Sequence, residues 1–348
     1  MGGRSAGGDV ANRAQTDEAR TTESGAARRG RRGVIDGYDL TLMDLLTIDG
    51  RASTKHLAEQ VGLTDATVAA RLKELTDRDV LRVRAVVDWR QVGYRASMIF
   101  LLRVHGRPVG DVADELATDE RVQSVGVTFG SADLVVRALL VDAEDSLRFV
   151  TDTISARQGV EVVSSLLEVG VAKHTNELHT GQPMIDALPT LPAAPMLLDD
   201  VDRQLIVALT HDARQSLRQI GRSLDVSEHT IRVRLRRLEE GGLVKICAQI
   251  NPVTTGRASE FAYIGIKLTD PRRSQDVVAD LVKRTEFDGL SRTVGEHDLL
   301  AFVAVDSRRD LVGLADELRA RPDVAHSEIW SATSVRLSAF PWGRFVEV

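Results

Sequence analysis

The chain has 348 residues, of which 43% are hydrophobic and 28% charged, and its formal net charge is −6. This length allows more than one hydrophobic core. No apolar run approaches the roughly 20 residues of a membrane-spanning helix, and the N-terminus lacks the apolar segment of a secretory signal. Cys247 is the only cysteine, which excludes an internal disulfide and a cysteine-based metal cluster. We therefore expect a soluble, cytoplasmic protein with no membrane partner.

The N-terminal segment 1–33 is rich in Gly, Ala, Arg and Thr, and it holds seven basic and four acidic residues. Such a composition offers little to bury and predicts a disordered basic tail. A basic arm that contacts DNA phosphates is the alternative interpretation.

An internal repeat organises the remaining chain. At a constant offset of 163 positions, residues 36–93 align on 199–256, and 14 of these 58 positions are identical. The relation continues at shifted offsets, where VTFGSADLVV (127–136) corresponds to TVGEHDLLAF (293–302). Between the copies, TNELHTGQPMIDALPTLPAAP (175–195) contains four prolines and predicts a linker. The chain therefore consists of two copies of one module.

The first part of each module predicts three helices and a wing. In the first copy, Asp36, Ser53 and Thr64 each precede an apolar periodic stretch, as N-caps do, and Gly62 allows a tight turn. The stretch LRVRAVVDW (81–89) then alternates like a short β-hairpin. A helix, a short turn and a second capped helix form a helix-turn-helix.

The second part of each module predicts the order βαββαβ. In the first copy the strands are expected at 95–104, 121–129, 133–141 and 160–171, with helices at 109–118 and 143–157. This order is typical of an α+β, ferredoxin-like sandwich with helices on one sheet face. The fold class is thus α+β, a tandem duplication of a winged helix-turn-helix plus a βαββαβ sandwich.

The predicted domains follow from these boundaries. They are a tail (1–33), a first winged helix-turn-helix (34–93), a first α+β domain (94–174), a linker (175–196), a second winged helix-turn-helix (197–256) and a second α+β domain (257–348). The C-terminal SAFPWGRFVEV carries Phe340, Trp342 and Phe345 and is expected to dock on the protein.

The third helix of each module is the candidate DNA-reading element, because a helix-turn-helix offers this helix to the major groove. The second copy carries four arginines between 228 and 240, whereas the first carries Arg71 and Lys73 among acidic residues and alanines. Arginine contacts phosphates and pairs bidentately with guanine. The candidate DNA-binding residues are Ser227, His229, Thr230, Arg232, Arg234, Arg236 and Arg237 in the second copy, and Thr64, Thr67, Arg71 and Lys73 in the first.

Both copies resemble the Lrp/AsnC (leucine-responsive, feast/famine) family of bacterial transcription regulators. The resemblance rests on GRAS (50–53), LAEQVGLT (57–64) and VAARLKEL (68–75), and on ARQS (213–216) and IRVRLRRLEEGGLVK (231–245). It covers residues 35–173 and 198–336, and GSAD (130–133) and GEHD (295–298) stand where the family has a GxxD element. The resemblance implies a winged helix-turn-helix followed by an effector-binding, RAM/ACT-like sandwich that also drives oligomerisation.

This family commonly binds an amino acid or similar metabolite near the GxxD turn, between neighbouring sandwiches. Carried over to this chain, the effector residues are Gly130 and Asp133 in the first copy and Gly295 and Asp298 in the second. The alternative is that each Asp merely caps a β-turn. The partners implied are double-stranded DNA and a small-molecule effector.

The duplication has a consequence for assembly. The two sandwiches of one chain can pair edge to edge as an internal pseudo-dimer, and a homo-oligomer of such chains is also expected. Because the two reading helices differ, we expect an asymmetric operator in which one half-site is read closely.

No catalytic, metal or cofactor site is predicted, since phosphate loops, GxSxG, HExxH and paired histidines at ligand spacing are absent from the sequence. Two alternatives to a metabolite-responsive DNA-binding regulator remain. One is a two-unit enzyme resembling the sirohaem decarboxylases, and the other is a sensor that does not bind DNA.

Overall fold

A computed structural model describes residues 35–78, 80–174, 196–250, 255 and 258–337. The predicted tail (1–33), most of the predicted linker and the predicted docking segment at 338–348 lie outside these residues.

The first module runs from helix to strand in the predicted order. Its elements are α1 (Gly37–Ile48), α2 (Thr54–Val61), α3 (Asp65–Asp77), β1 (Leu81–Val87), β2 (Ala96–Val104), α4 (Val109–Leu116), β3 (Val122–Phe129), β4 (Leu134–Leu140), α5 (Ala143–Arg148) and β5 (Val160–His174). A 3₁₀ turn at Trp89–Val92 follows β1, and α5 continues as a π-helical segment, Phe149–Ile154.

The second module repeats this arrangement. Its elements are α6 (Asp200–His211), α7 (Leu217–Ser223), α8 (Glu228–Glu240), β6 (Val244–Ile250), β7 (Glu260–Leu268), α9 (Ser274–Leu281), β8 (Phe287–Val294), β9 (Leu299–Val305), α10 (Arg308–Ala320) and β10 (Val324–Leu337).

The helices begin where the local sequence satisfies their free amide groups. Asp36 and Asp199 each form a reciprocal capping box with the aspartate three residues later. Ser53 and Thr64 cap α2 and α3 through their side-chain oxygens. These caps are local, so the helix starts could be predicted from sequence.

The expected hairpin at LRVRAVVDW (81–89) is wrong. Residues 81–87 form a single strand, β1, which pairs antiparallel with β6 of the other module. Arg84 lies opposite Cys247, its own equivalent at the 163-residue offset, so a pseudo-twofold axis passes through this two-stranded sheet. Alternation with a period of two predicts a strand but does not identify its partner.

The helix-turn-helix parts of the two modules form one unit. Their apolar residues share a single core that extends from Leu42 and Leu57 to Leu205 and Ile231. Arg51 donates hydrogen bonds to the carbonyls of Ala213 and, at 3.3 Å, Gln215. Reciprocally, Arg214 reaches the carbonyls of Gly50 at 2.9 Å and Ala52 at 3.1 Å.

Burial, the largest influence, lowers the pKa of both guanidinium groups, Arg51 and Arg214. They nevertheless stay charged, because an arginine does not lose its proton in a protein. A shared core, a shared sheet and two crossed arginines therefore fix the two reading helices relative to each other.

The two sandwiches close into one barrel. The strand order is β10-β3-β4-β2-β5-β8-β9-β7, with β10 also paired to β7. The modules meet at two antiparallel junctions, β5 with β8 and β10 with β3, and this agrees with the expected edge-to-edge pairing. Helices cover the outside of each half, and a separate interior cluster includes Ile99, Leu101, Tyr263, Leu300 and Trp330.

Candidate nucleic-acid interface and effector site

The reading helix of the second module, α8, buries one face and exposes the other. Ile231, Leu235 and Leu238 are buried in the shared core. Ser227 caps the helix by accepting from the Thr230 amide at 3.0 Å. The predicted residues Ser227 and Thr230 therefore position the helix N-terminus, which is the end that approaches a major groove.

The exposed face of α8 carries His229, Arg232 and Arg236. Arg232 forms a surface ion pair with Glu228 one turn earlier. Within the described part of the chain, Arg236 has no ion-pair partner. An exposed pair of this kind contributes about 0.3–0.5 kcal/mol, so a phosphate can readily compete for Arg232.

Two of the predicted DNA-binding arginines form ion pairs with aspartates at the start of α6. Arg234 Nη1 contacts both carboxylate oxygens of Asp199 at 2.8 and 2.7 Å and Asp202 Oδ1 at 2.8 Å. Arg237 donates to the other oxygen of Asp202, a side chain that is only 1% exposed. The Asp202 amide and the Arg234 guanidinium hold the pKa of Asp199 below its usual value. Arg234 therefore holds α8 against α6. The Arg237 side chain is 49% exposed beside its ion pair, and its contact with DNA stays a prediction.

The first module repeats the structural contact and lacks most of the exposed charge. Arg71, the equivalent of Arg234, binds Asp36 at 3.0 Å and Asp39 at 2.8 Å. Lys73 pairs with Asp77 at 2.6 Å on the surface of α3. Thr64 and Thr67 form the helix cap, with their hydroxyl groups 2.9 Å apart. Lys73 is therefore the predicted basic residue of this copy that remains exposed.

Sequence reasoning missed two exposed arginines on α7. Arg218 and Arg222 lie one turn apart on the first helix of the second helix-turn-helix. In this type of motif the first helix crosses the DNA backbone. Their equivalents in the first module are Lys55 and Glu59. The i, i+4 spacing of RQIGR was the signal that could have identified them.

The two predicted effector turns have closely similar geometry. Gly130 and Gly295 begin them with φ of 146° and 151°. Asp133 accepts from the Val104 amide at 2.8 Å, and Asp298 accepts from the Leu268 amide at 2.9 Å. Asp298 also pairs with Lys267 at 3.1 Å. Both aspartates thus brace the turn against the neighbouring strand, as the turn-capping alternative expects.

Each turn packs on the last strand of the other module. A Cβ placed on Gly130 would lie 3.1 Å from Trp330 Cδ1, and one on Gly295 would lie 2.8 Å from Leu166 Cδ2. Glycine at these positions therefore permits a close approach between modules. Of the candidate effector residues, the two glycines consequently lie at the junctions between the two sandwiches.

A polar cluster of Ser131, His297, Glu328 and Trp330 joins the first turn to the second module. Ser131 donates to Glu328 and accepts from Trp330 Nε1 at 2.9 Å. His297 Nε2 lies 3.6 Å from a Glu328 carboxylate oxygen.

His297 is 1% exposed, and within the described residues neither ring nitrogen has a hydrogen-bond partner. Burial lowers the pKa of His297, with partial compensation from Glu296 and Glu328. The first module has Ala132 where the second has His297, and Ser164 where the second has Glu328. The two junctions are therefore chemically different.

Among the described residues, no group of three or more His, Cys, Asp or Glu side chains could hold a metal ion. No described helix is both long and apolar enough to cross a membrane.

Comparison with known families matches the helix-turn-helix part of both modules and the sandwich of the first. The AsnC-type helix-turn-helix domain matches residues 35–76 and 198–239, and the Lrp/AsnC ligand binding domain matches residues 97–178. An uncharacterized HTH-type transcriptional regulator of Pyrococcus abyssi is 35% identical over 147 residues, which are 42% of this chain and 90% of that protein. The chain belongs to the Lrp/AsnC family. The whole Pyrococcus abyssi relative thus corresponds in length to one module of this chain.

A second relative and a solved structure also resemble the chain. The HTH-type transcriptional regulator FL11 of Pyrococcus furiosus is 28% identical over 148 residues, covering 42% of this Lrp/AsnC chain and 97% of FL11. The crystal structure of the siroheme decarboxylase NirDL superposes with a TM-score of 0.60, covering 88% of this chain and 96% of that one at 12% identity. At that identity the likeness shows a shared two-module fold.

Proposed function

We propose that this chain is a sequence-specific DNA-binding transcriptional regulator that responds to a small metabolite, an amino acid or a derivative. The observation that carries the proposal is the set of exposed arginines on the two helices, Arg232 and Arg236 on α8 and Arg218 and Arg222 on α7. Cationic side chains on both helices of such a motif supply the phosphate contacts on which DNA affinity depends.

We propose that the two modules read DNA unequally. At the four equivalent exposed positions the first module has Lys55, Glu59, Ala69 and Lys73, so its local charge is much lower. Because the helix-turn-helix parts share one core and one sheet, both helices approach the same DNA segment. The second module then reads one half-site through base contacts, and the first adds weak phosphate contacts at the other. Further association of chains stays a prediction.

We propose that the effector binds at the junction that holds Ser131, His297 and Glu328. The Glu328 carboxylate is 27% exposed, and next to it His297 has two ring nitrogens without hydrogen-bond partners in the described structure. A carboxylate can hold an ammonium group, and a buried imidazole can bond a carboxylate or hydroxyl. These are complementary to the polar groups of an amino acid.

The experiment for DNA recognition is selection of bound genomic fragments with purified protein at two salt concentrations. We expect a motif with one strong and one weak half-site, and an affinity that falls steeply as salt rises because bound counterions are released. The Lys73→Ala variant should retain the strong half-site. A symmetric motif, or a motif unchanged in strength by salt, would contradict the proposal.

The experiment for the effector is a thermal-shift screen of the amino acids against the wild type and Glu328→Gln. We expect one ligand class to raise the melting temperature of the wild type but not of the variant. Glu161→Gln is the matched control, since Glu161 is a surface residue paired only with His105 at 3.4 Å in the described structure. If the ligand raised the melting temperatures of Glu328→Gln and Glu161→Gln equally, this junction would not be the effector site.

A sirohaem-decarboxylase-like activity is the second candidate, and the two-module likeness to NirDL is the observation that favours it. Incubation of the protein with sirohaem under reducing conditions, followed by mass analysis of the tetrapyrrole, tests it. Loss of carbon dioxide from the substrate would replace the regulator proposal, and an unchanged tetrapyrrole would remove this alternative.

A further inference from the structure

The two junctions between the sandwiches carry different interior side chains at equivalent positions. We define seam A as the contact of β5 with β8 and seam B as the contact of β10 with β3. Strands β2 and β5 correspond to β7 and β10 at an offset of 164, and β3 corresponds to β8 at an offset of 165. In a dimer of identical modules the two seams would be the same.

Seam A contains a buried carboxylate with a complete set of partners. Glu168 is 6% exposed and accepts hydrogen bonds from Ser97 at 2.5 Å and from Ser291 of the other module. Arg137 lies 3.1 Å from the same carboxylate. A buried charge is stable only when paired and hydrogen-bonded in this way. Among the described residues, the Ser291 hydroxyl is the partner of the Glu168 carboxylate that comes from the other module.

Seam B contains a large side chain against a glycine. Ala332 stands at the position of Glu168, and Gly126 stands at the position of Ser291. Tyr263, the equivalent of Ile99, occupies the space over Gly126, where an added Cβ would lie 2.5 Å from the tyrosine ring. Tyr263 is buried and belongs to the interior cluster. The absence of a side chain at 126 is therefore required by the ring at 263.

Each seam suits only the pairing of unlike modules. Pairing two second modules would place Ser291 under Tyr263, where the ring leaves no room, and would face the serine hydroxyl with Ala332. Pairing two first modules would place Gly126 where Ser291 now lies. Glu168 would then lose a hydroxyl donor, and a void would remain next to Ile99. Overpacking, a void and a lost buried hydrogen bond each disfavour the wrong pair.

We propose that the barrel seams form a heterotypic interface, so that the partner of the first module is always a second module. Two features exclude a copy of the same module. One is the fit of the Tyr263 ring over Gly126, and the other is the hydrogen bond from Ser291 to Glu168. When the two modules of one chain pair in this way, its two unlike reading helices face DNA as one pair. Module pairing of this kind does not depend on what the protein binds.

The first test uses the full chain with a specific protease site placed between residues 175 and 195. After cleavage, the two fragments are unfolded in urea, refolded together and weighed by native mass spectrometry. We expect more than about 90% of the dimers to contain one fragment of each kind, because roughly tenfold discrimination per seam acts twice. A statistical mixture, with both like pairs present, would overturn the proposal.

The second test keeps the chain intact and compares Gly126→Ser in two backgrounds. In the wild type we expect it to raise the unfolding equilibrium constant roughly tenfold or more, because the new atoms meet Tyr263. In a Tyr263→Ile background the same change should cost less than about threefold. Gly170→Ser, where an added Cβ meets nothing within 4 Å, is the matched control. Equal costs of Gly126→Ser in both backgrounds would refute the size selection.

Discussion

Arg234→Ala separates the structural arginines of α8 from the exposed ones. Arg234 makes three contacts of 2.7–2.8 Å with Asp199 and Asp202, and Asp202 is 1% exposed. Breaking a fully buried ion pair costs about 3–5 kcal/mol. Arg234 is 24% exposed, and Arg237 would remain on Asp202. We therefore expect a loss below that range, about 2 kcal/mol.

Urea unfolding at neutral pH, followed by circular dichroism, measures this loss. A loss of about 2 kcal/mol lowers the unfolding midpoint by roughly 1 M at the usual slope for small domains. Arg236→Ala is the matched control and should stay within about 0.5 kcal/mol of the wild type, since Arg236 is exposed. An Arg234→Ala variant with a wild-type midpoint and a large loss of DNA affinity would show that Arg234 contacts DNA and that the structural assignment is wrong.

Three further outcomes follow from individual residues. Asp225 has a left-handed backbone with φ of 55°, and the equivalent residue of the first module is Gly62 with φ of 68°. In thermal melts, Asp225→Gly should stabilise the protein by up to about 1 kcal/mol and Gly62→Asp should destabilise it by a similar amount. A change of the same sign in both variants would contradict backbone strain at residue 225. Burial raises the pKa of Cys247 to about 11, so at pH 8 only about one thiol in a thousand is ionised. Alkylation of Cys247 should therefore occur only when the protein unfolds. Rapid alkylation of the native protein would show that the thiol is not buried. Burial lowers the pKa of His297 below 6.5 in the folded protein, so the unfolded state takes up the proton first and stability should fall as the pH drops below about 6.5. The His297→Leu variant should lack this loss in urea unfolding. An unchanged pH dependence in the variant would show that another group is responsible.

The helical parts could be predicted because their signals are local. Caps at Asp36, Ser53 and Thr64 and the apolar spacing of each helix lie within a few residues in sequence. The partner of β1 could not be predicted, since its strand neighbour lies 163 residues away at the midpoint of the pairing. A strand pattern carries no information on which distant strand completes the sheet.

The sequence alone only partly distinguished arginines that could contact DNA from arginines that form ion pairs within the protein. Arginine type and helix position do not distinguish Arg234, which binds Asp199 and Asp202, from Arg236, which is exposed. A usable signal was nonetheless present, because Arg71 and Arg234 are identical between the copies together with their aspartate partners. Identity across the repeat marked the shared ion pair, whereas the exposed positions of the two reading helices differ.

The effector turns illustrate a different limit. The GxxD spacing located both turns, but whether Asp133 and Asp298 face a ligand or the backbone depends on the adjacent strands. The contact between Ser131 and Glu328 spans 197 residues and joins two modules. Such a junction becomes visible only once the barrel is closed.

Operator affinity of the Arg232→Ala/Arg236→Ala double variant measures whether α8 is the helix that reads DNA. It is determined on the selected DNA motif at moderate salt, beside an Arg309→Ala/Arg319→Ala variant that removes the same charge from α10. We expect a loss of at least about thirtyfold for the first variant, since two direct contacts contribute about 1–3 kcal/mol each, and wild-type affinity for the second. Equal affinity of both variants would contradict the assignment of α8 as the reading helix.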